Sequence, residues 1–190
     1  MKTLSLSTAL LSALVLSAAA QAAPTVGAQG KINFTGDINA DACTVAGSGM
    51  ASRGVFNYDM GSVSNLSLGT EDAPATSSTN LPSMPIPVEL TLQCATGTQV
   101  TLALTPAIAS GKGVGVSGLA TGAQIMLTKA TDGSIIDFTA GTNTIPAGLD
   151  SNGKVTVSLL AYYTRKAGVA AAAVTPGTAN GTVNYVLSYE

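Results

Sequence analysis

The sequence predicts an all-β protein, an antiparallel β-sandwich. Three observations carry that reading. Apolar and polar residues alternate with a period of two in run after run, as they do in strands with one buried face. Clusters of Gly, Pro, Asp, Asn and Ser separate these runs at short spacing, as in a sandwich of short strands. The chain has 190 residues, 46% hydrophobic and only 9% charged. That balance excludes a disordered chain, and the length suits one domain or two small ones.

The N-terminus stands apart from the strand pattern. Lys2 is the only charge in the first thirty residues, and an apolar run centred on Leu10, Leu11, Leu14, Val15 and Leu16 follows it. The run ends in Ala20-Gln21-Ala22, a small-residue cleavage pattern, so residues 1–22 read as a cleaved secretory signal with the cut after Ala22. A membrane anchor is the alternative, but the apolar core is short and no charged stop follows it. Removing Lys2 takes the net charge from −2 to −3. No later stretch is apolar enough for a transmembrane helix, so the mature chain is not expected to insert in a membrane.

The first strand row is Val26, Ala28, Gly30, Ile32, Phe34, Gly36 and Ile38, with polar residues or Gly27 between them. Ile86, Val88, Leu90, Leu92 and Cys94 form the second. Val100, Leu102 and Leu104 follow, then Ile125 and Leu127, then Val155, Val157 and Leu159. The last row sets Val183, Tyr185, Leu187 and Tyr189 against Thr182, Asn184, Val186, Ser188 and Glu190. Turns are expected at Gly47-Ser48-Gly49, Gly111 to Gly118, Asp132-Gly133, Asp150 to Gly153 and Thr175-Pro176-Gly177. Residues 70–80, rich in Ser and Thr with acidic Glu71 and Asp72, read as a surface loop. Ala170 to Ala173 is too short to nucleate a stable helix and is expected to form one turn at most.

Secretion makes the two cysteines readable. Cys43 and Cys94 in an oxidising compartment most simply form one disulfide, closing a loop of about 50 residues worth roughly 4 kcal/mol in the chain-entropy model. A two-thiolate metal site would lack further His or Cys ligands.

Catalytic and nucleic-acid chemistry find little support. The chain has no His, which removes His-dependent triads and imidazole metal sites. Eight basic residues against ten acidic ones form no basic stripe, so nucleic-acid binding is not expected. Gly113-Val114-Gly115-Val116-Ser117-Gly118 matches a dinucleotide fingerprint, but a strand follows it where a helix is needed. Asp37-Ile38-Asn39-Ala40-Asp41 opens like a calcium loop, yet Ala42 stands at the sharp-turn glycine and Ser48 at the bidentate glutamate. Asn33, Asn65 and Asn180 begin glycosylation patterns that are frequent by chance. No cofactor, metal or enzymatic activity is expected.

Four features then coincide. An alternating strand, Gly30 to Gly36, follows the signal. A first Cys follows in Ala42-Cys43-Thr44-Val45, and a second closes the strand Pro85 to Cys94. The chain ends with a penultimate Tyr189 and with Gly177 fourteen residues from the end. Together these resemble the pilin subunits of bacterial chaperone–usher fimbriae, such as type 1 and P pili. Leu92, Leu90, Val88 and Ile86 sit at even offsets from Cys94, a register similar to the pilin domains of some tip subunits.

The resemblance implies an incomplete immunoglobulin-like β-sandwich of six strands that lacks the seventh. Residues 23–34 would be an N-terminal donor-strand extension with Val26, Ala28, Gly30, Ile32 and Phe34 on one face, and 35–190 the pilin domain. Gly177, Val183, Tyr185, Leu187, Tyr189 and Glu190 would border a groove gripped first by a periplasmic chaperone. At an outer-membrane usher, the extension of the next subunit would replace it, a case of β-strand addition. The implied function is a structural subunit of a surface fimbria supporting adhesion and biofilm formation. It would be exported to the periplasm and then displayed outside the cell, polymerised with other pilin subunits. The alternatives are a minor tip or adaptor subunit, or a secreted β-sandwich module that binds carbohydrate or a host receptor.

Overall fold

The computed structural model describes Lys31 and residues 43–52, 54–77, 84–94 and 99–189. All of these except Lys31 fall in a unit running Ala40–Glu190. The expected signal peptide, the row Val26, Ala28, Gly30, Ile32 and Phe34, and Glu190 lie outside the described residues.

The described chain is almost entirely strand and turn. It opens with β1 (Cys43–Gly47), β2 (Met50–Ser52) and β3 (Val55–Phe56), then β4 (Ile86–Cys94), β5 (Gln99–Pro106), β6 (Ala109–Ser110) and β7 (Gly113–Gly115). It continues with β8 (Ala123–Lys129), β9 (Asn143–Gly148), β10 (Lys154–Arg165) and β11 (Val183–Tyr189). Single 3-10 turns occupy Asn65–Ser67 and Ala171–Ala173. One sheet runs β1-β4-β10-β8-β7-β6 and a second runs β11-β5-β9, while β2 and β3 pair as a separate ribbon. Every pair of neighbouring strands is antiparallel.

The alternating rows meet in one core between the two sheets. Leu90 and Leu92 of β4, Val100, Leu102 and Leu104 of β5, Leu127 of β8 and Leu159 of β10 are all buried there, with Ile136 and Phe138. This is the expected outcome of period-two patterning, since one face of each strand can shed its apolar surface only against the other sheet.

Three local features depart from the sequence reading. The glycine run at 111–118 is not an open loop: Gly113–Gly115 is a fully buried strand. A Cβ on Gly113 would lie 2.8 Å from the Ile125 carbonyl oxygen on the neighbouring strand, so the close approach of these backbones calls for glycine. The outer face of β8 is also covered, which its alternation did not show. Gln124, Met126 and Thr128 are buried there, with the Ser110 hydroxyl donating to Gln124 Oε1 at 2.8 Å. The acidic loop seals part of this region. Gly69 bridges Thr164, and the buried Glu71 carboxylate accepts a bond from the Lys112 backbone N–H. Finally, β9 had no alternating signature, and it contains Pro146.

Candidate functional site

Among the described residues, strand β11 lies at the edge of its sheet, paired on one side only. The register sets Asn184 opposite Thr105 and Leu187 opposite Leu102. A bond of 2.9 Å from the Ala107 N–H to the Thr182 carbonyl fixes the phase of this ladder. Even-numbered residues of β11 therefore turn their peptide groups toward β5, and Val183, Tyr185 and Leu187 turn theirs toward the vacant side. The same odd residues point their side chains inward and are half-buried against the core, whereas Asn184, Val186 and Ser188 are exposed. Backbone donors, acceptors and an apolar row thus face one vacancy.

The opposite edge of this sheet is closed by chemistry. Pro146 of β9 sits opposite Thr101, whose N–H faces β11, so the proline nitrogen points away from β5. A strand added outside β9 would find no donor there. Pro106, opposite Val183, fits the same phase, because its nitrogen faces away from β11. Of the two edges, only β11 offers an uninterrupted ladder.

Beside β11 runs an open cavity of about 1300 Å³. Its floor is the core itself: Leu90, Leu104, Val114, Ile125, Leu127 and Leu159 all line it. Its walls are Val174 to Tyr185 on one side and Gly54 to Val63 on the other. Strand β1 is not among the lining residues; β3 and the segment after it form that wall. Near the middle of β11 the walls touch. The Tyr185 hydroxyl donates to the Gly54 carbonyl at 3.2 Å, and the Tyr185 and Phe56 rings stand 6.0 Å apart, tilted by 55°. In the wall that leads into β11, the Ala179 carbonyl accepts a bond from the Tyr163 hydroxyl, which holds that segment. Burial, and then the nearby Asp59 carboxylate, raise the Tyr163 pKa above its ordinary 10.0. Burial raises that of Tyr185 likewise. Both hydroxyls stay neutral near pH 7 and so keep the protons that they donate in these bonds.

The structure brings Val183, Tyr185 and Leu187 together on one strand, which Tyr189 ends. Gly177 lies outside β11, six residues before it, but still on the cavity wall. A Cβ there would stand 2.6 Å from the Leu119 carbonyl carbon, so close backbone packing explains the glycine. Cys43 and Cys94 are bonded to each other and sit directly opposite on β1 and β4, with Cα atoms 4.0 Å apart. They staple the edge of the larger sheet and do not line the cavity. Phe56, Tyr163, Leu104 and Val174 also line it, and no alternation or motif singled them out as one site. No group of three or more His, Cys, Asp or Glu side chains among the described residues could hold a metal ion. The arrangement suits strand binding: a trough with an apolar floor, and on one lip the peptide groups of Val183 and Tyr185, which turn away from β5.

Curated protein sequences give no match. Among solved structures, the crystal structure of the P pilus rod subunit PapA is similar, with a TM-score of 0.53 at 21% identity over 79% of this chain and 100% of that one. That likeness concerns the fold. The CupB6 tip adhesin from Pseudomonas aeruginosa gives a TM-score of 0.49 at 19% identity over 65% of this chain, which spans only 34% of the adhesin. A family model described as fimbrial protein matches residues 32–190 and so takes in both cysteines, the cavity and β11. By that match the chain belongs to the fimbrial protein family.

Proposed function

We propose that this fimbrial subunit is a structural building block that polymerises by donor-strand exchange. Residues 23–34 of one copy supply the strand, and the cavity beside β11 of another receives it. The observation that carries the reading is the coincidence, along β11, of peptide groups turned away from β5 and a cavity floored by core side chains, on the edge of its sheet that no proline blunts. Val26, Ile32 and Phe34 would fill the trough, each worth roughly 1.5–3 kcal/mol when buried. Gly30 suits a shallow point in it. Left empty, this edge is an aggregation hazard, which favours a periplasmic chaperone that covers it before an outer-membrane usher brings in the next subunit. Export through the signal at 1–22, a homopolymer on the cell surface and a part in adhesion and biofilm formation complete the proposal.

The test deletes residues 23–34. The shortened subunit should still fold with its chaperone and accept one neighbour's strand, but donate none, so it should cap fibres made by the full-length chain. A synthetic peptide of residues 23–34 should bind it in a one-to-one complex by native mass spectrometry. Full-length fibres built from the shortened subunit alone would refute the role of this segment.

A further inference from the structure

We infer that the outer face of the sheet β11-β5-β9 is a contact surface between assembled fibres, and that its partner is the same face of a subunit in a neighbouring fibre. The inference goes beyond the groove reading and rests on it only for the existence of a polymer. The register stacks the outward side chains in rows. Val186, Ala103 and Thr144 form one, and Ser188, Thr101 and Pro146 the next. Val186 is 63% exposed, and the others are exposed or half-buried. A Cβ on Gly148, farther along β9, would meet no atom within 4 Å, so no described segment covers this face.

The composition suits a surface that meets a copy of itself. Residues 99–106, 142–149 and 183–189, which hold the three strands, contain no Asp, Glu, Lys or Arg. The outer face of the larger sheet differs, since exposed Glu89 and Lys154 stand on it. A face that pairs with its own copy carries the same net charge on both sides, so a neutral one meets no repulsion. Its short side chains also cost little rotamer entropy to bury, unlike Lys, Arg or Glu. The Thr105 and Thr142 hydroxyls already bond each other at 2.8 Å, which lowers the penalty of taking them out of water. Pro146 blunts growth at the β9 edge, so two copies can meet here face to face but not strand to strand.

Size makes the occupant a fibre and not a lone subunit. Three strands about 4.8 Å apart, with about six residues of each rising about 3.4 Å, give a face of roughly 300 Å². A pair of such faces buries roughly 600 Å², below the about 1,000 Å² expected of a stable complex. Two free subunits would therefore separate. In a fibre the same face recurs on every subunit, and each contact after the first forms at high effective concentration. Many weak contacts then hold two fibres side by side.

The test assembles fibres from the full chain, native or carrying Val186→Lys, Thr144→Lys or, as a control, Thr131→Lys at an exposed turn after β8. Each change takes the net charge of the mature chain from −3 to −2, which by itself favours association. Thermal unfolding checks that each subunit folds. Light scattering and negative-stain microscopy read the fibre concentration at which bundles appear, at about 0.15 M salt, where exposed charges are screened beyond about 8 Å. That threshold should rise about tenfold or more in both face variants, against the trend in net charge, because an ammonium group must be desolvated at every contact. It should stay within about twofold of native in Thr131→Lys. Native fibres that stay single, or face variants that bundle like native, would overturn the inference, and so would loss of bundling in Thr131→Lys. A face variant whose single fibres change in diameter or coiling would assign the face to contacts within one fibre and overturn it too. Failure of the native subunit to polymerise would instead sink the donor-strand reading and, with it, the inference.

Discussion

Proline scanning along β11 separates the two faces of its backbone. The ladder phase puts the Val183 N–H on the vacant side and the Asn184 N–H against the Thr105 carbonyl. Val183→Pro removes one donor from the lip of the groove at the first residue of the strand, a place where proline is tolerated. The side chains are similar in size, so the isolated subunit should lose less than about 1 kcal/mol. An incoming strand, however, loses one hydrogen bond worth about 0.5–1.5 kcal/mol, or roughly two- to tenfold in affinity. Asn184→Pro does the reverse. It breaks the bond to Thr105, and the unpaired carbonyl should cost the subunit about 1–3 kcal/mol. Chemical denaturation measures the stability of each variant, and calorimetric titration with a peptide of residues 23–34 measures its affinity. Equal destabilisation by both prolines would show that the phase is wrong. Unchanged peptide affinity in Val183→Pro would show that no strand docks on this lip.

Three further outcomes follow from the same geometry. Replacing Cys43 and Cys94 with Ser should cost about 4 kcal/mol by reopening a loop of sequence separation 51, read as a lower urea midpoint that reductant reproduces in the native chain; a loss below about 1 kcal/mol would count against it. Gly177→Asp should destabilise the subunit by about 1–3 kcal/mol or more and lower its periplasmic yield, because its Cβ meets the Leu119–Ala120 backbone; an unchanged melting temperature would refute that packing. The Asp150 carboxylate accepts from the Lys154 and Asn152 N–H groups, and these bonds lower its pKa below 3.8. Its stabilisation is therefore present above the unfolded value and is lost as pH falls through the folded one. Asp150→Asn should flatten that acid limb of the stability curve, and an unchanged limb would contradict the assignment.

The sequence by itself determined the class of fold and most of its long strands. Rows such as Ile86 to Cys94 and Val183 to Tyr189 name the buried face of a strand, because side chains alternate along any extended chain. It also supplied two cysteines whose bonding needs only secretion and proximity. It could not show which strands become neighbours. The edge position of β11, the outward nitrogen of Pro146 and the meeting of Phe56 with Tyr185 depend on pairings across distant parts of the chain. Nor could alternation reveal β7 or the covered outer face of β8. The reason Gly113 is small lies in the Ile125 carbonyl on the neighbouring strand, and the reason Gly177 is small lies in the backbone at Leu119. Period two records how each residue meets its own strand's faces. The groove lies along a sheet edge that has no neighbour among the described residues, and that is a property of the pairing order, which only the tertiary structure decides.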